Sequence, residues 1–520
     1  MLKSDYYQEP SELDQIVFAK LIPEEHILRR VKETIDFSAF RKLLEDCYSQ
    51  DMGRTAEDPV RMVKLEYLQF QYGLSDREVL KQVQVNVAFR YFLDLSLDSA
   101  LPTSGLLSQF RLRLGEERHR KLFEEIVSQA RQKGLVKDRL RLKDATHVIA
   151  NIAVPSAIGL VAQTRDRLLK SVRRYAAQRV EQEEQEAQHI REWSDDLKDE
   201  ERLLARIEHL RRIVTWADEL QKERSSVHGK EKQWKRFEEA LALAHQLLDQ
   251  CDHPEGGGKI RSAHDPDARR GWHKDFFDGY HLDISLDADS ELITAVTTPP
   301  ANQDEAKNAQ KLIEQEESAQ GNDVAAISMD GIGFRGDVLR ALQDPAGPGV
   351  QVFVPPHDWH VYNTPYFTPD KFHLEEDGQL LVCPGEEETR TRTRTGNGTG
   401  WQFSFKHSQC KNCLLLNQCL EYLPKTRGRT ISKNDYDAEY QSARQLALTP
   451  AYSQVRSLHP RVERKFAEIV QFHGGRRARY RGQWRVAIQY LLIAMVVNIK
   501  RMIKLLLSPP DQDLALAPAG

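Results

Sequence analysis

Three acidic residues stand where they could share one pocket: Asp144 in RLRLKDATHVIAN, Asp330 in DVAAISMDGIGF and Glu463 in RVERKFAEIVQF. The first two sit on runs that read as β-strands, and the third lies on a late helical segment. Carboxylate oxygens are the hard ligands that Mg²⁺ or Mn²⁺ prefers. Three of them together would hold two such ions about 3.5–4 Å apart, the arrangement that drives in-line attack on phosphodiesters. With 78 Asp and Glu residues in the chain, position alone does not single these out. Asp337 rivals Asp330, and Glu468 rivals Glu463.

Cysteines give a second pattern. Cys383, Cys410, Cys413 and Cys419 are spaced C-x26-C-x2-C-x5-C. A CxxC pair with two further thiols fits a structural tetrahedral Zn²⁺ site in a segment with little core of its own. Four unrelated reduced thiols, or a disulfide pair, are the alternatives. Cys47 and Cys251 lie elsewhere. A basic turn follows Glu463: Arg476, Arg477, Arg479, Arg481 and Arg485, with Tyr480 and Trp484 among them. These could grip DNA phosphates and stack on unpaired bases, or simply form a solvated loop. TRTRTRTGNGTG (389–400) reads as a flexible loop with no assigned role.

The elements that must position these residues follow from pattern. A length of 520 residues exceeds one compact core, and a net charge of −4 argues against a uniformly basic DNA-coating protein. Charge is instead sorted into blocks: eight Lys and Arg with no acid between Gln471 and Lys504, ten acids against three bases between Glu181 and Leu203. Such a patch can steer a polyanion. No secretory leader is expected from MLKSDYYQEPSELDQ, and the apolar run from Val486 reads as a buried terminal helix because charges interrupt it. A cytoplasmic protein with no membrane partner is the expectation.

Residues 1–135 read as helices joined by tight turns, with Arg111, Arg113, Arg118 and Arg120 suiting a helix-turn-helix DNA-binding module; a plain helical bundle is the alternative. Residues 136–160 hold the first core strand, and 161–250 a charged helical hairpin or arm. Residues 251–356 supply a strand hairpin across Asp289-Ser290, a helix from about Gln303 to Glu317, the strand ending at Asp330, a short helix GDVLRALQ and a last strand. The order β-β-β-α-β-α-β is that of an α/β RNase H-like mixed sheet. Residues 357–449 form a loop-rich cysteine insertion, 450–508 the C-terminal helices, and 509–520 a flexible tail.

The ordered segments DATHVIAN, HDPDARRG, FFDGYHLDI, ELITAVTTPPANQDE, ISMDGIGFRGDVLRAL and VERKFAEIVQFHGGRRARYRGQWRVAIQYLL resemble those of bacterial insertion-sequence transposases of the DDE, RNase H-like class, in the long group with a cysteine-bearing insertion. So do YGLSDREVLKQVQVNVAFRYFLDL and LPTSGLLSQFRLRLG near the start. The resemblance implies that Asp144, Asp330 and Glu463 bind two Mg²⁺ or Mn²⁺ ions as a catalytic triad. It implies that the N-terminal helices read terminal inverted repeats, that the freed 3′-OH attacks target DNA, and that two subunits pair the ends. There are departures. Related proteins place Tyr, Arg and Lys seven before, four before and seven after the glutamate, where this chain has Arg456, His459 and Val470. Phe334 stands near the place of a tyrosine after the second aspartate. An RNase H-like nuclease, or an inactive transposase-derived DNA-binding protein, are the alternative functions.

Overall fold

The computed structural model describes residues 10–49, 55–228, 232–357, 365–375, 378–396 and 398–507; the expected 509–520 tail lies outside them. Seven helices come first: α1 (Glu12–Leu21), α2 (Ile27–Thr34), α3 (Ala39–Leu44), α4 (Pro59–Gln71), α5 (Asp76–Val85), α6 (Val87–Phe92) and α7 (Ser104–Gln132). Local chemistry sets their starts. Asp58 caps α4 ahead of Pro59, and Ser75 with Glu78 forms a reciprocal capping box on α5.

Strand β1 (Arg141–Ile149) leads into four helices, α8 (Ala157–Val172), α9 (Ala177–Trp193), α10 (Asp199–His228) and α11 (Lys232–Asp252). They enclose their own core around Leu168, Leu210, Ile213, Trp234 and Phe237. The inserted segment is therefore a packed helical unit rather than the expected hairpin. β2 (Arg269–His273), β3 (Asp275–Asp287), β4 (Ile293–Thr297), α12 (Asn308–Gln320), β5 (Ala326–Ser328), α13 (Gly336–Gln343) and β6 (Gln351–Phe353) complete the central sheet. Its strand order is β2-β3-β1-β5-β6, with β4 also on β3; β3 is antiparallel to its neighbours, while β1, β5 and β6 run parallel. This mixed sheet is consistent with an RNase H-like core.

The cysteine region is less irregular than expected. β7 (His373–Leu374), β8 (Leu381–Val382) and β9 (Glu388–Thr389) form one small sheet. β10 (Arg392–Arg394), β11 (Gly400–Ser404) and β12 (Thr430–Asn434) form another. Much of the threonine-arginine repeat thus enters strands instead of a free loop. Arg394 pairs across the ladder with Trp401, and Arg392 and Arg394 lie 4.0 and 4.9 Å from that ring's centre, cation–π contacts that order it. The helices α14 (His407–Lys411), α15 (Leu416–Cys419), α16 (Asp437–Ala447), α17 (Pro450–Leu458), α18 (Pro460–His473) and α19 (Gln483–Leu507) follow.

One apolar core joins the N-terminal helices to the sheet. Leu28, Phe40, Leu68, Phe92 and Phe123 cluster with Leu142, Val148, Leu282 and Ile284, through the nearly all-buried α19. No helix among the described residues is long and apolar enough to cross a membrane. Of the arginines assigned to a helix-turn-helix surface, only Arg111 lies in this interior. Arg111 is buried between Glu66 and Asp76, Arg118 pairs with Asp46, Arg120 with Glu116, and Arg113 stacks on Tyr48.

Candidate active site

Strand β1 is covered on both faces, so its alternation is not one of core against solvent. Arg141 and Lys143 point to the α12 side. There Arg141 binds Glu316 (2.6 Å) and Asp287 (2.9 Å), and Lys143 binds Asp283 (2.8 Å). Leu142 and Val148, on the other face, pack in one cluster with Val462, Phe466 and Ile469 of α18. Asp144 shares the register parity of Leu142 and Val148 and therefore faces α18. It lies within β1, with five strand residues after it.

Asp330 comes near it. β1 and β5 pair in parallel with Leu142 opposite Ser328; Asp144 lies two residues further along β1, whereas β5 stops at Ser328, so Asp330 follows two residues past the strand it was expected to end. Neighbouring strands are about 4.8 Å apart, which puts the two carboxylates on adjacent backbones. Their mutual effect is direct. Burial, then the negative charge of Asp330, raise the Asp144 carboxyl to about 7, against a bond from the Ala145 N–H (2.7 Å) that lowers it. Glu305 adds a smaller push in the same direction. A half-buried carboxyl carrying a proton near neutrality, beside a second carboxylate, is a donor pair that a divalent cation would complete.

Glu463 occupies the first turn of α18 and is exposed, on the same helical stripe as His459 and Phe466. Among the described residues no three His, Cys, Asp or Glu side chains stand close enough to hold a metal ion as placed. The chain therefore brings the two aspartates together, while Glu463 lies on the helix covering the same sheet face without closing on them. The rivals are engaged elsewhere. Asp337 binds Arg335 (2.7 Å), and Glu468 binds Lys465 (3.1 Å) and Lys500 (3.3 Å).

Several residues around Asp330 make contacts that the sequence did not foretell. A side-chain carbon on Gly331 would overlap the His357 imidazole, so the glycine lets this histidine pack beside the aspartate. Arg456 and His459 turn inward onto Ser328 and Met329. Phe334 is buried against Tyr440, ring centres 5.0 Å apart. The departures at 334, 456 and 459 mark those three positions, while nothing in the sequence marks Gly331 or His357.

The arginine turn splits in two. Gly474, in the left-handed region at φ 63°, ends α18 and returns the chain so that, at the end of β1, the Ile149 N–H donates to the Arg476 carbonyl (3.0 Å) and the Ala478 N–H to the Ile149 carbonyl (2.9 Å). Arg476 then donates to the His147 carbonyl (2.9 Å) and Arg479 to that of Leu74 (3.0 Å). Arg477, Arg481 and Arg485 are exposed.

All four clustered cysteines line one cavity of about 20 Å³, room for roughly one water-sized sphere. A side-chain carbon on Gly385 would lie 3.0 Å from Cys413 Sγ and 3.7 Å from Cys383 Sγ, and the Arg429 N–H reaches Cys410 Sγ at 3.4 Å. Burial raises the Cys410 and Cys419 thiols, and the neighbouring cysteines add to the shift. The sulfurs converge without yet meeting at ligand distance.

Comparison with known families adds two matches. Residues 16–113 match the family described as a transposase domain (DUF772), and residues 382–503 match a transposase DDE domain. The chain thus carries an N-terminal DUF772 transposase domain and a transposase DDE domain, and the latter implies a DNA transposase. Glu463, the four cysteines and the arginine turn fall inside the second match; Asp144 and Asp330 lie outside both. No curated protein and no solved structure matches the chain.

Proposed function

We propose that the protein binds the terminal inverted repeats of its own element, cuts a strand at each end, and joins the freed 3′-OH to target DNA. Asp144, Asp330 and Glu463 would serve as the ligand set for two Mg²⁺ or Mn²⁺ ions. The observation that carries this reading is the approach of Asp330, two residues past β5, to Asp144 on the neighbouring parallel strand β1, where its charge helps push the Asp144 carboxyl up to about 7. When bound, the ions supply activation of the attacking oxygen and stabilisation of the leaving one. The residues' own part is positional. The sheet fixes the two aspartates, Asp144 gives up its proton on ligation, and the Glu463 side chain swings in from the exposed first turn of α18. Exposed Arg477, Arg481 and Arg485 contact the DNA backbone, with Arg476 and Arg479 holding their turn in place. Two subunits pair the two ends.

Cys383, Cys410, Cys413 and Cys419, which line one cavity, would close on a single Zn²⁺ in a structural role remote from the chemistry. The functional test is strand cleavage of a DNA carrying the element's ends, in Mn²⁺. Asp330→Ala should lose cleavage while retaining end binding. Undiminished cleavage by that variant removes Asp330 from the site.

A further inference from the structure

We propose that Arg456 and His459 are positioning residues, a clamp that sets the separation of the Asp330 segment from the Glu463 helix and so the affinity of the site for its cations. The proposal rests on the carboxylate reading above and concerns residues that touch neither metal nor DNA.

Arg456 Nη1 donates to the Met329 carbonyl at 2.6 Å and to Ser328 Oγ at 3.1 Å. His459 Nδ1 lies 3.2 Å from that same Ser328 Oγ. Ser328 is fully buried and His459 is 4% exposed. Burial, then the adjacent guanidinium, lower His459 to about 4, so the ring is neutral at physiological pH. Ser328 Oγ accepts from Arg456 and shares a second hydrogen bond with His459 Nδ1, whose direction is set by the tautomer of the neutral ring.

The two ends of this chain of bonds are the two ligand-bearing elements. Ser328 and Met329 immediately precede Asp330, and the Met329 N–H donates to the Phe353 carbonyl at 3.0 Å. Both sides of the backbone entering Asp330 are therefore tied, one to β6 and one to Arg456. At the other end His459 opens α18, where its carbonyl accepts from the Val462 N–H at 3.1 Å, one residue before Glu463. Arg456 in the last turn of α17 and His459 at the N-cap of α18 thus join the segment leading into Asp330 to the start of the helix that carries Glu463. The linkage is buried and charge-assisted, hence short and stiff. A residue free to grip DNA would instead present its guanidinium to solvent. Arg456 directs its guanidinium to a backbone carbonyl.

Ligand geometry must be held to about half an ångström for a site to bind metal well. Loosening the clamp should therefore be read in metal binding more than in DNA binding. The experiment titrates Mn²⁺ into the full-length protein without DNA, by calorimetry and by electron paramagnetic resonance of free Mn²⁺. It then titrates Mn²⁺ in the cleavage assay. For Arg456→Ala we expect roughly tenfold weaker Mn²⁺ binding, the same shift in half-maximal Mn²⁺ for cleavage, and end-DNA affinity within about twofold of wild type. Arg456→Lys, able to reach one acceptor but not both, should fall between. Should Arg456→Ala fail to fold, Ser328→Ala removes only the bridging hydroxyl and should still weaken Mn²⁺ binding by about threefold. A folded Arg456→Ala or Ser328→Ala protein with wild-type Mn²⁺ binding overturns the clamp alone. A wild-type protein that neither binds Mn²⁺ nor cuts overturns the carboxylate reading beneath it.

Discussion

Asp144→Asn should make the protein inactive and, at alkaline pH, more stable. The sign follows from the direction of the shift. The Asp144 carboxyl is raised from 3.8 to about 7 in the folded chain. Between those values the native state keeps a proton that the unfolded chain has released, so stability falls as pH climbs through that window. Three units correspond to about 4 kcal/mol as an upper bound. Solvent reaching this half-buried group brings the figure nearer 2 kcal/mol. Asparagine cannot ionise, keeps the acceptor for the Ala145 N–H, and escapes the cost. Thermal unfolding without divalent metal, run from pH 4 to 8.5, reads the difference. The variant should melt a few degrees above wild type at pH 8, with the gap shrinking to nothing near pH 4. Mn²⁺ should then raise wild type more than the variant, since ligation removes the same repulsion. A variant less stable than wild type at pH 8, or a gap that ignores pH, would refute the claim that Asp144 is a buried carboxylate awaiting a cation.

Two further outcomes are expected. Cys413→Ser should lower zinc content below one ion per chain and expose the 380–420 segment to proteolysis; a wild-type protein that purifies without stoichiometric zinc ends that assignment. Replacing Arg477, Arg481 and Arg485 together by Ala should weaken end-DNA binding and flatten its log–log salt dependence by about 2.7, at 0.9 per phosphate contact. Arg476→Ala should instead destabilise the turn with an unchanged salt slope, and equal slopes in both variants would overturn the division between outward and inward arginines.

Strand order was legible because hydrophobic alternation and turn residues are local: β3 and β4 do pair across Asp289-Ser290, and the GDVLRALQ helix falls at Gly336–Gln343. The polar half of β1 was not legible. Arg141 and Lys143 look like a solvent face, but Glu316, Asp287 and Asp283 come from more than a hundred residues away and bury them. Such pairing is invisible to any window of sequence. The same limit hid the roles of Arg111, Arg456 and His459. For the threonine-arginine repeat, composition pointed to a loop, while Trp401 on the facing strand supplied the ordering. Asp144 and Asp330 were found as residues; their approach and the elevation of one of them required the register.

The central claim is that these carboxylates share a pair of cations, and anomalous diffraction from crystals grown with Mn²⁺ and end DNA tests it most directly. Two peaks about 3.5–4 Å apart, flanked by Asp144, Asp330 and an inward-turned Glu463, are predicted. Manganese bound elsewhere, with Asp144 and Asp330 bare and Glu463 still facing solvent, would contradict the account.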